Sequence, residues 1–346
     1  MPKVCLIAGD GVGQEVIPAA ARALGVACAD LSFAEAEAGW GCFLRHGSAL
    51  PESTRTAVAT ADATMFGATQ SPSTVVGGYS SPILSLRRDF DLFANLRPSE
   101  GSTADGRRID LLIVRENTEG LYSGREHREG DTAIAERVIT RRASERIARV
   151  AFQEARRRAL RRSTDSGSAL LRPRCTIVHK ANVLKLTDGL FRESCLRIAA
   201  EFSDVDCEEM LVDTTAMWLA KDPSRFDVIV TTNLFGDILS DLASGLVGGL
   251  GLAPGANIGY TASIFEAVHG SAPDIAGKNI ANPAAIILAG VMMLRHLKEF
   301  AAADTIERAV RALVAEGKAV TRDLNPATPV GTREMADAII ARMMAG

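Results

Sequence analysis

The strongest constraint on this chain is the way its apolar residues fall into short β-rich runs separated by helical stretches. Residues 4–8 form an apolar run, Gly9-Asp10-Gly11-Val12-Gly13 breaks it, and residues 14–24 follow with an Ala-rich helical pattern. Residues 111–114, 175–178 and 228–231 are further short β-rich runs, and helices are predicted over 134–158 and 189–201 between them. Strands alternating with helices imply an α/β protein. At 346 residues the chain is long enough for two joined domains. Residues 70–81, rich in Ser, Thr, Gly and Pro, and the polar, basic residues 161–173 read as loops or flaps.

Composition removes several classes of function. Hydrophobic residues make up 47% and charged residues 23%, the formal net charge is −3, and no apolar run reaches the roughly 18 residues of a membrane span. Neither a membrane nor nucleic acid is an expected partner. Ten arginines between 137 and 162 could suggest a nucleic-acid stripe, but Glu136, Glu145 and Glu154 interleave with them as on a solvated helix. The six cysteines show no CxxC pair or ligand spacing and read as buried reduced thiols. The N-terminus passes straight into the first apolar run, so the chain reads as cytoplasmic.

Several segments carry residues suited to chemistry. The evenly spaced Gly9, Gly11 and Gly13 lack the GxGxxG spacing of a dinucleotide fingerprint, and an ordinary glycine-rich turn accounts for them equally well. Asp237 and Asp241 follow the run at 228–231 and share a helix face at i,i+4. Like charges so placed cost about 0.2–0.5 kcal/mol in an isolated helix, which points to a bound cation of the Mg2+ or Mn2+ type or to two solvated aspartates. Arg87, Arg97 and Arg115 each lie at the edge of an apolar run. Singly they could be surface ion pairs, and together they could clamp a small polycarboxylate through bidentate hydrogen bonds. Tyr122 and Lys180 are proton-transfer candidates; a lysine at a strand end beside a metal would have its pKa depressed toward that of a working base.

Together these segments resemble the β-decarboxylating hydroxyacid dehydrogenases, the family of isocitrate, 3-isopropylmalate, homoisocitrate and tartrate dehydrogenases. The resemblance rests on GDGVGQE at 9–15, ANLRP at 94–98, VRENTEGLYSG at 114–124, HKANVLKLTDG at 179–189, TTNLFGDILSDLASGLVGGLGLAPGANIG at 231–259 and EAVHGSAPDIAGKNIANP at 266–283, in family order. It implies two α/β domains that are not of the Rossmann type: a large cofactor domain from residues 1–95 and 252–346, and a smaller domain from 96–251 that forms a homodimer or a higher assembly. It also implies substrate contacts at Ser71, Arg87, Arg97, Arg115, Tyr122, Lys180 and Asn182, and Mg2+ or Mn2+ held by Asp213, Asp237 and Asp241. NAD contacts are implied at Glu266, His269, Gly270, Ser271, Ala272, Asp274, Ile275 and Asn282. Lys180 matches the general base and Tyr122 the acid that protonates the enol. Lys180 and Asp213 are expected to complete the site of the partner subunit.

The family shares the malate part of its substrate and differs in the group attached to it, which residues 69–86 are expected to read. Thr69, Ser71, Tyr79, Ser80 and Ser81 offer hydroxyls that suit a carboxyl-bearing group better than a branched alkyl one. Residues 78–88 and Glu37-Ala-Gly-Trp40 resemble the homoisocitrate branch, so a hydroxy-tricarboxylate, homoisocitrate, is the expected substrate. Isocitrate and 3-isopropylmalate are the alternatives. The sequence departs from that pattern at Leu84, where some relatives carry arginine, at Gln14 and Ala267 in place of proline, and in the basic stretch at 156–174.

Overall fold

A run such as Ala63–Ala68, with every residue buried, needs cover on both faces, and crossover helices on a parallel sheet supply it. The computed structural model describes residues 1–74, 76–103, 105–166 and 172–345. In chain order the elements are β1 (Lys3–Gly9), α1 (Gly13–Ala27), β2 (Ser32–Glu35), α2 (Trp40–His46), α3 (Glu52–Thr60), β3 (Ala63–Ala68) and α4 (Pro82–Asp89). Next come β4 (Ala94–Ser102), β5 (Arg108–Glu116), β6 (Glu126–Glu129), β7 (Thr132–Ala135), α5 (Arg141–Ser166), β8 (Arg174–His179) and α6 (Thr187–Ala199). The remainder are β9 (Asp206–Leu211), α7 (Val212–Lys221), β10 (Val228–Thr231), α8 (Asn233–Leu246), β11 (Pro254–Ile258), β12 (Ser263–Ala267), α9 (Ala284–His296), α10 (Phe300–Glu316) and α11 (Thr332–Ala345). The α/β expectation is met.

The chain divides into two compact units, one of Met1–Leu92 with Gly248–Gly346 and one of Phe93–Val247. In the first unit β2, β1, β3 and β12 run parallel, and β11 pairs antiparallel with β12. Its core includes Cys5, Ile7, Leu50, Phe66, Leu86 and Ile264. In the second unit β4 pairs antiparallel with β5, and β5, β10, β8 and β9 follow in parallel order. Ile109, Leu111, Ile113, Phe226, Ile229 and Leu239 build its core. Among the described residues no helix is long and apolar enough to cross a membrane.

Three local expectations need correction. The helix expected over 134–158 begins at Arg141, because the preceding residues form the hairpin β6–β7. Gly130, at φ 59°, opens its two-residue turn, and that turn geometry outweighs the helix propensity of the Ala-Ile-Ala run. The loop expected over 161–173 is helical as far as Ser166; residues 167–171 of it lie outside the described residues, as does Val75 of the 70–81 loop. Cys207 is exposed on β9, unlike the other five cysteines, and all six are free.

Arg141, Arg142, Arg149, Arg156 and Arg157 of α5 are exposed, as a solvated face requires, and several of the helix's arginines are ion-paired as well. Arg158 meets Asp110 at 2.6 Å and Asp227 at 2.8 Å, Arg141 meets Glu193 at 2.8 Å, and Arg149 meets Glu201 at 2.6 Å. These pairs fasten the helix to its neighbours, so the guanidinium groups are engaged within the fold.

Candidate active site

Open parallel sheets place their functional loops past the carboxyl ends of the strands, and the second unit follows this rule. Arg115 sits at the end of β5, with Tyr122 just beyond it. Lys180 follows β8, Asp213 follows β9, and Asp237 and Asp241 lie on α8 after β10. Arg97 reaches the same end because β4 runs antiparallel to β5, with Arg97 opposite Ile113.

Five of these side chains form one hydrogen-bonded group. Arg115 donates through Nη1 to Asp237 Oδ1 at 2.5 Å and through Nη2 to Asn233 Oδ1 at 2.9 Å. The Tyr122 hydroxyl donates to Asp237 Oδ2 at 2.5 Å. Arg97 donates through Nη1 to Ser240 Oγ at 2.8 Å and to Asp241 Oδ1 at 3.3 Å, and lies 3.2 Å from Asp237. Arg115 is buried to 1% exposure, so its charge requires this anion. Burial and the bond to the Asp237 carboxylate raise the Tyr122 pKa, keeping the phenol protonated. Burial likewise raises the Asp241 pKa, while Arg97 opposes the shift.

Lys180 and Asp213 form a second pair, with Nζ donating to Oδ1 at 2.6 Å. Lys180 holds the Asp213 pKa down by accepting the role of counter-charge. Among the described residues, the one group of three clustered potential metal ligands is Glu37, Cys42 and His46, so Asp213 does not join Asp237 and Asp241 within this chain. The Lys180 backbone N–H donates to the buried Asp188 at 2.6 Å, and Arg137 pairs with Asp188 at 2.7 Å. Asn182, beside them, is exposed.

In the first unit the early glycines are occupied by their own fold. A Cβ on Gly11 would lie 2.0 Å from the Ser271 carbonyl oxygen, and one on Gly9 2.2 Å from that of Ala68. Val12 N–H donates to Ser271 O at 2.9 Å, so the turn abuts the loop at 269–275 and leaves no backbone cradle for a pyrophosphate. Gln14 closes the turn by donating to Gly9 O at 2.5 Å. Glu15 accepts from Gly277 N–H at 2.6 Å and Asn279 N–H at 2.8 Å, pinning the far side of the same loop.

Within that loop Gly270 and Asp274 are exposed, Ser271 is buried, Ile275 is half-buried, and Ala272 takes a positive φ of 39°. His269 Nδ1 lies 3.1 Å from Gly270 O, while its Nε2 is buried with no hydrogen-bond partner. Asn282 spends its side chain internally, Oδ1 accepting from Ala284 N–H at 2.9 Å and Nδ2 donating to Asp323 at 2.8 Å. Arg87 donates to Asn257 Oδ1 and Glu266 Oε1, each at 3.1 Å. Ser71 is exposed, and its neighbour Tyr79 donates to Gln70 O at 2.8 Å while packing on Trp40 and Phe43.

Sequence reasoning missed Asp10, Glu15, Asn257, Asp188 and Arg137. Asp10 shows the reason: its carboxylate accepts from the N–H groups of Trp40, Gly41 and Gln70, none of which is near it in sequence. Such partners leave no local pattern; the one signal available is an ionisable residue directly after an apolar run.

The residues fit the groups that the resemblance implies. Two carboxylates one helical turn apart, set among arginines, form a hard-oxygen donor set for a divalent cation. The unpartnered His269 Nε2 is a free hydrogen-bonding position for a bound dinucleotide.

Residues 3–339 match the isocitrate/isopropylmalate dehydrogenase family. The chain is 52% identical over 319 residues to an isocitrate/homoisocitrate dehydrogenase of Thermus thermophilus, with 91% of each chain covered. It is 49% identical over 343 residues to a 3-isopropylmalate dehydrogenase of Methanothermobacter thermautotrophicus, covering 98% of each. An isocitrate dehydrogenase structure from Methylococcus capsulatus superposes with a TM-score of 0.90 at 46% identity, with 99% of both chains covered. The chain therefore belongs to the isocitrate/isopropylmalate dehydrogenase family and is an oxidatively decarboxylating dehydrogenase. Members of this family depend on a divalent metal and a nicotinamide cofactor, act on small molecules and are typically oligomeric.

Proposed function

We propose that this enzyme oxidises homoisocitrate to 2-oxoadipate and carbon dioxide with NAD and Mg2+ or Mn2+, as a homodimer serving lysine formation through 2-aminoadipate. The observation that carries the substrate reading is the aromatic brace beneath the segment at 69–86. Trp40, Phe43 and Tyr79 have ring centroids 5.4–5.5 Å apart, so the two segments singled out as homoisocitrate-like are one physical cluster. A polar surface braced in this way suits a distal carboxylate, which can accept from its hydroxyls, better than an isopropyl group, which cannot.

One observation favours a second reading. Leu84 is 41% exposed and lies one turn before Arg87 on α4, where it would offer an alkyl group an apolar contact. On that reading the substrate is 3-isopropylmalate. Initial rates with homoisocitrate, isocitrate and 3-isopropylmalate, at saturating NAD and Mg2+, decide between them. A higher kcat/KM for 3-isopropylmalate than for either tricarboxylate overturns the proposal.

When bound, the divalent cation supplies charge neutralisation at the substrate hydroxyl and carboxylates, and nicotinamide supplies the hydride acceptor. Arg87, Arg97 and Arg115 bind and orient carboxylates. Lys180, as the neutral amine, takes the hydroxyl proton, and Asp213 accepts a hydrogen bond from the ammonium it then becomes. Tyr122, kept protonated beside Asp237, returns a proton to carbon after decarboxylation. Exposed Val183, Leu186 and Met217 flank Lys180 and Asp213, which supports their burial against a second copy of the chain. The exposed Asp274 carboxylate supports NAD over NADP, whose 2′-phosphate it would repel. A larger kcat/KM with NADP would refute that assignment.

A further inference from the structure

Outside the dehydrogenase machinery, the first unit carries a compact set of softer ligands. We propose that Glu37, Cys42 and His46 bind a borderline-soft divalent cation of the Zn2+ class, with a water in the fourth position. Their carboxylate oxygen, thiol sulfur and ring nitrogen all lie within 4.8 Å of one another. A tetrahedral zinc site spaces such atoms about 3.5 Å apart, so small rotamer adjustments complete it. Cys42 and His46 are i,i+4 on α2 and project from one face, while Glu37 comes from the segment before the helix.

Two further observations point to a ligand. The Cys42 side chain is 1% exposed, and its thiol has no hydrogen-bond partner among the described residues. Glu37 and His46 also line an open cavity of about 500 Å³ with Ser48 and Thr54, which gives the ion an entry path and room for its water. The segment is held in position, since Thr54 Oγ1 donates to Glu37 O at 2.6 Å and Gly47 ends α2 at φ 70°. At present His46 Nε2 lies 3.1 Å from Glu37 Oε2, and the exposed Arg45 lies 3.3 Å from the same oxygen. The cation replaces the proton between Glu37 and His46, displaces Arg45, and releases the Cys42 thiol proton to solvent as the thiolate coordinates.

This donor set differs in kind from the all-carboxylate site on α8. Sulfur and imidazole select Zn2+ or Co2+, whereas carboxylates suit Mg2+ and Mn2+. The consequence is local: α2 also carries Trp40 and Phe43, so a cation on its other residues stiffens the brace beneath Tyr79.

Co2+ titration of the full-length enzyme in excess Mg2+ tests the site, because thiolate coordination gives a near-ultraviolet charge-transfer band that carboxylate coordination does not. One equivalent of Co2+ should produce that band with tetrahedral visible absorption, in the wild type and in Asp237→Asn alike. His46→Gln changes an exposed side chain and should weaken Co2+ binding by roughly tenfold or more, a scale on which even outer-shell partners act. Cys42→Ser should abolish the band. Absence of the band in the wild type, its survival in Cys42→Ser through exposed Cys207, or unchanged affinity in His46→Gln would each overturn the proposal.

Discussion

At Gly11 the backbone lies at φ 56° and the Ser271 carbonyl occupies the space where a side chain would begin. Gly11→Ala combines an unfavourable backbone conformation with a contact that only movement of the loop at 269–275 can relieve. It should cost on the order of 1–3 kcal/mol and weaken dinucleotide binding, read by thermal unfolding and NAD titration. Asp237 has a different burden, holding Arg115 and Tyr122 at once. Asp237→Asn should lose most metal-dependent turnover, with the apparent metal Kd raised by at least about tenfold. An unchanged metal Kd and kcat would remove Asp237 from the metal site. Arg97, Arg115 and the i,i+4 aspartates were legible because residue type and spacing are local. Asp10 and Glu15 were not, since each acts on the backbone of segments brought in by the fold.

Between β5 and the β6–β7 hairpin, the connection containing Tyr122 holds a buried titratable carboxyl of its own. Glu119 is buried beside Glu116, accepts from Thr140 N–H at 2.8 Å and Thr140 Oγ1 at 2.9 Å, and has its pKa pushed up to about 7, chiefly by burial. An acid whose pKa is raised on folding contributes stability below its unfolded value, and that contribution is lost as pH rises through about 7. Glu119→Gln should therefore be more stable than the wild type near pH 8, by up to about 3 kcal/mol, with the difference vanishing near pH 4. Melting temperatures across that range check it; a difference independent of pH would show that Glu119 does not titrate there. On the aromatic brace, Trp40→Ala should raise KM for the substrate more than it lowers kcat, and equal falls in kcat and kcat/KM would place Trp40 in the chemistry instead. At this scale the sequence conveyed β1, β5, β8 and β10, whose buried residues form short β-rich runs, but not β3, where Thr64 and Gly67 interrupt the apolar run. It misjudged the hairpin, whose short exposed strands carry no such run.

For the whole molecule, the decisive prediction concerns the subunit that supplies each side chain. If Lys180 and Asp213 serve the partner's site, Lys180→Met and Tyr122→Phe chains are each nearly inactive, yet a mixed dimer regenerates one intact site. Random pairing makes half the dimers mixed, with half of their sites intact, so about a quarter of wild-type activity should return on co-expression. No recovery from verified mixed dimers would put both residues in one subunit's site. Apolar runs give no sign of the discontinuous first unit. Apolar periodicity reports on neighbours in sequence, whereas β3 pairs with β12, nearly 200 residues further on.

That pairing also has a consequence for the newborn chain. Ala63–Ala68 leaves the ribosome with one edge destined for β12, but the whole of Phe93–Val247 must be translated before that partner exists. At roughly 5–20 residues per second, an apolar strand edge waits on the order of ten seconds for its neighbour, while the contiguous second unit can fold without delay. Vectorial synthesis thus makes the first part of the chain to be made the last to be finished, and its open edge a surface for chaperones to cover in the meantime.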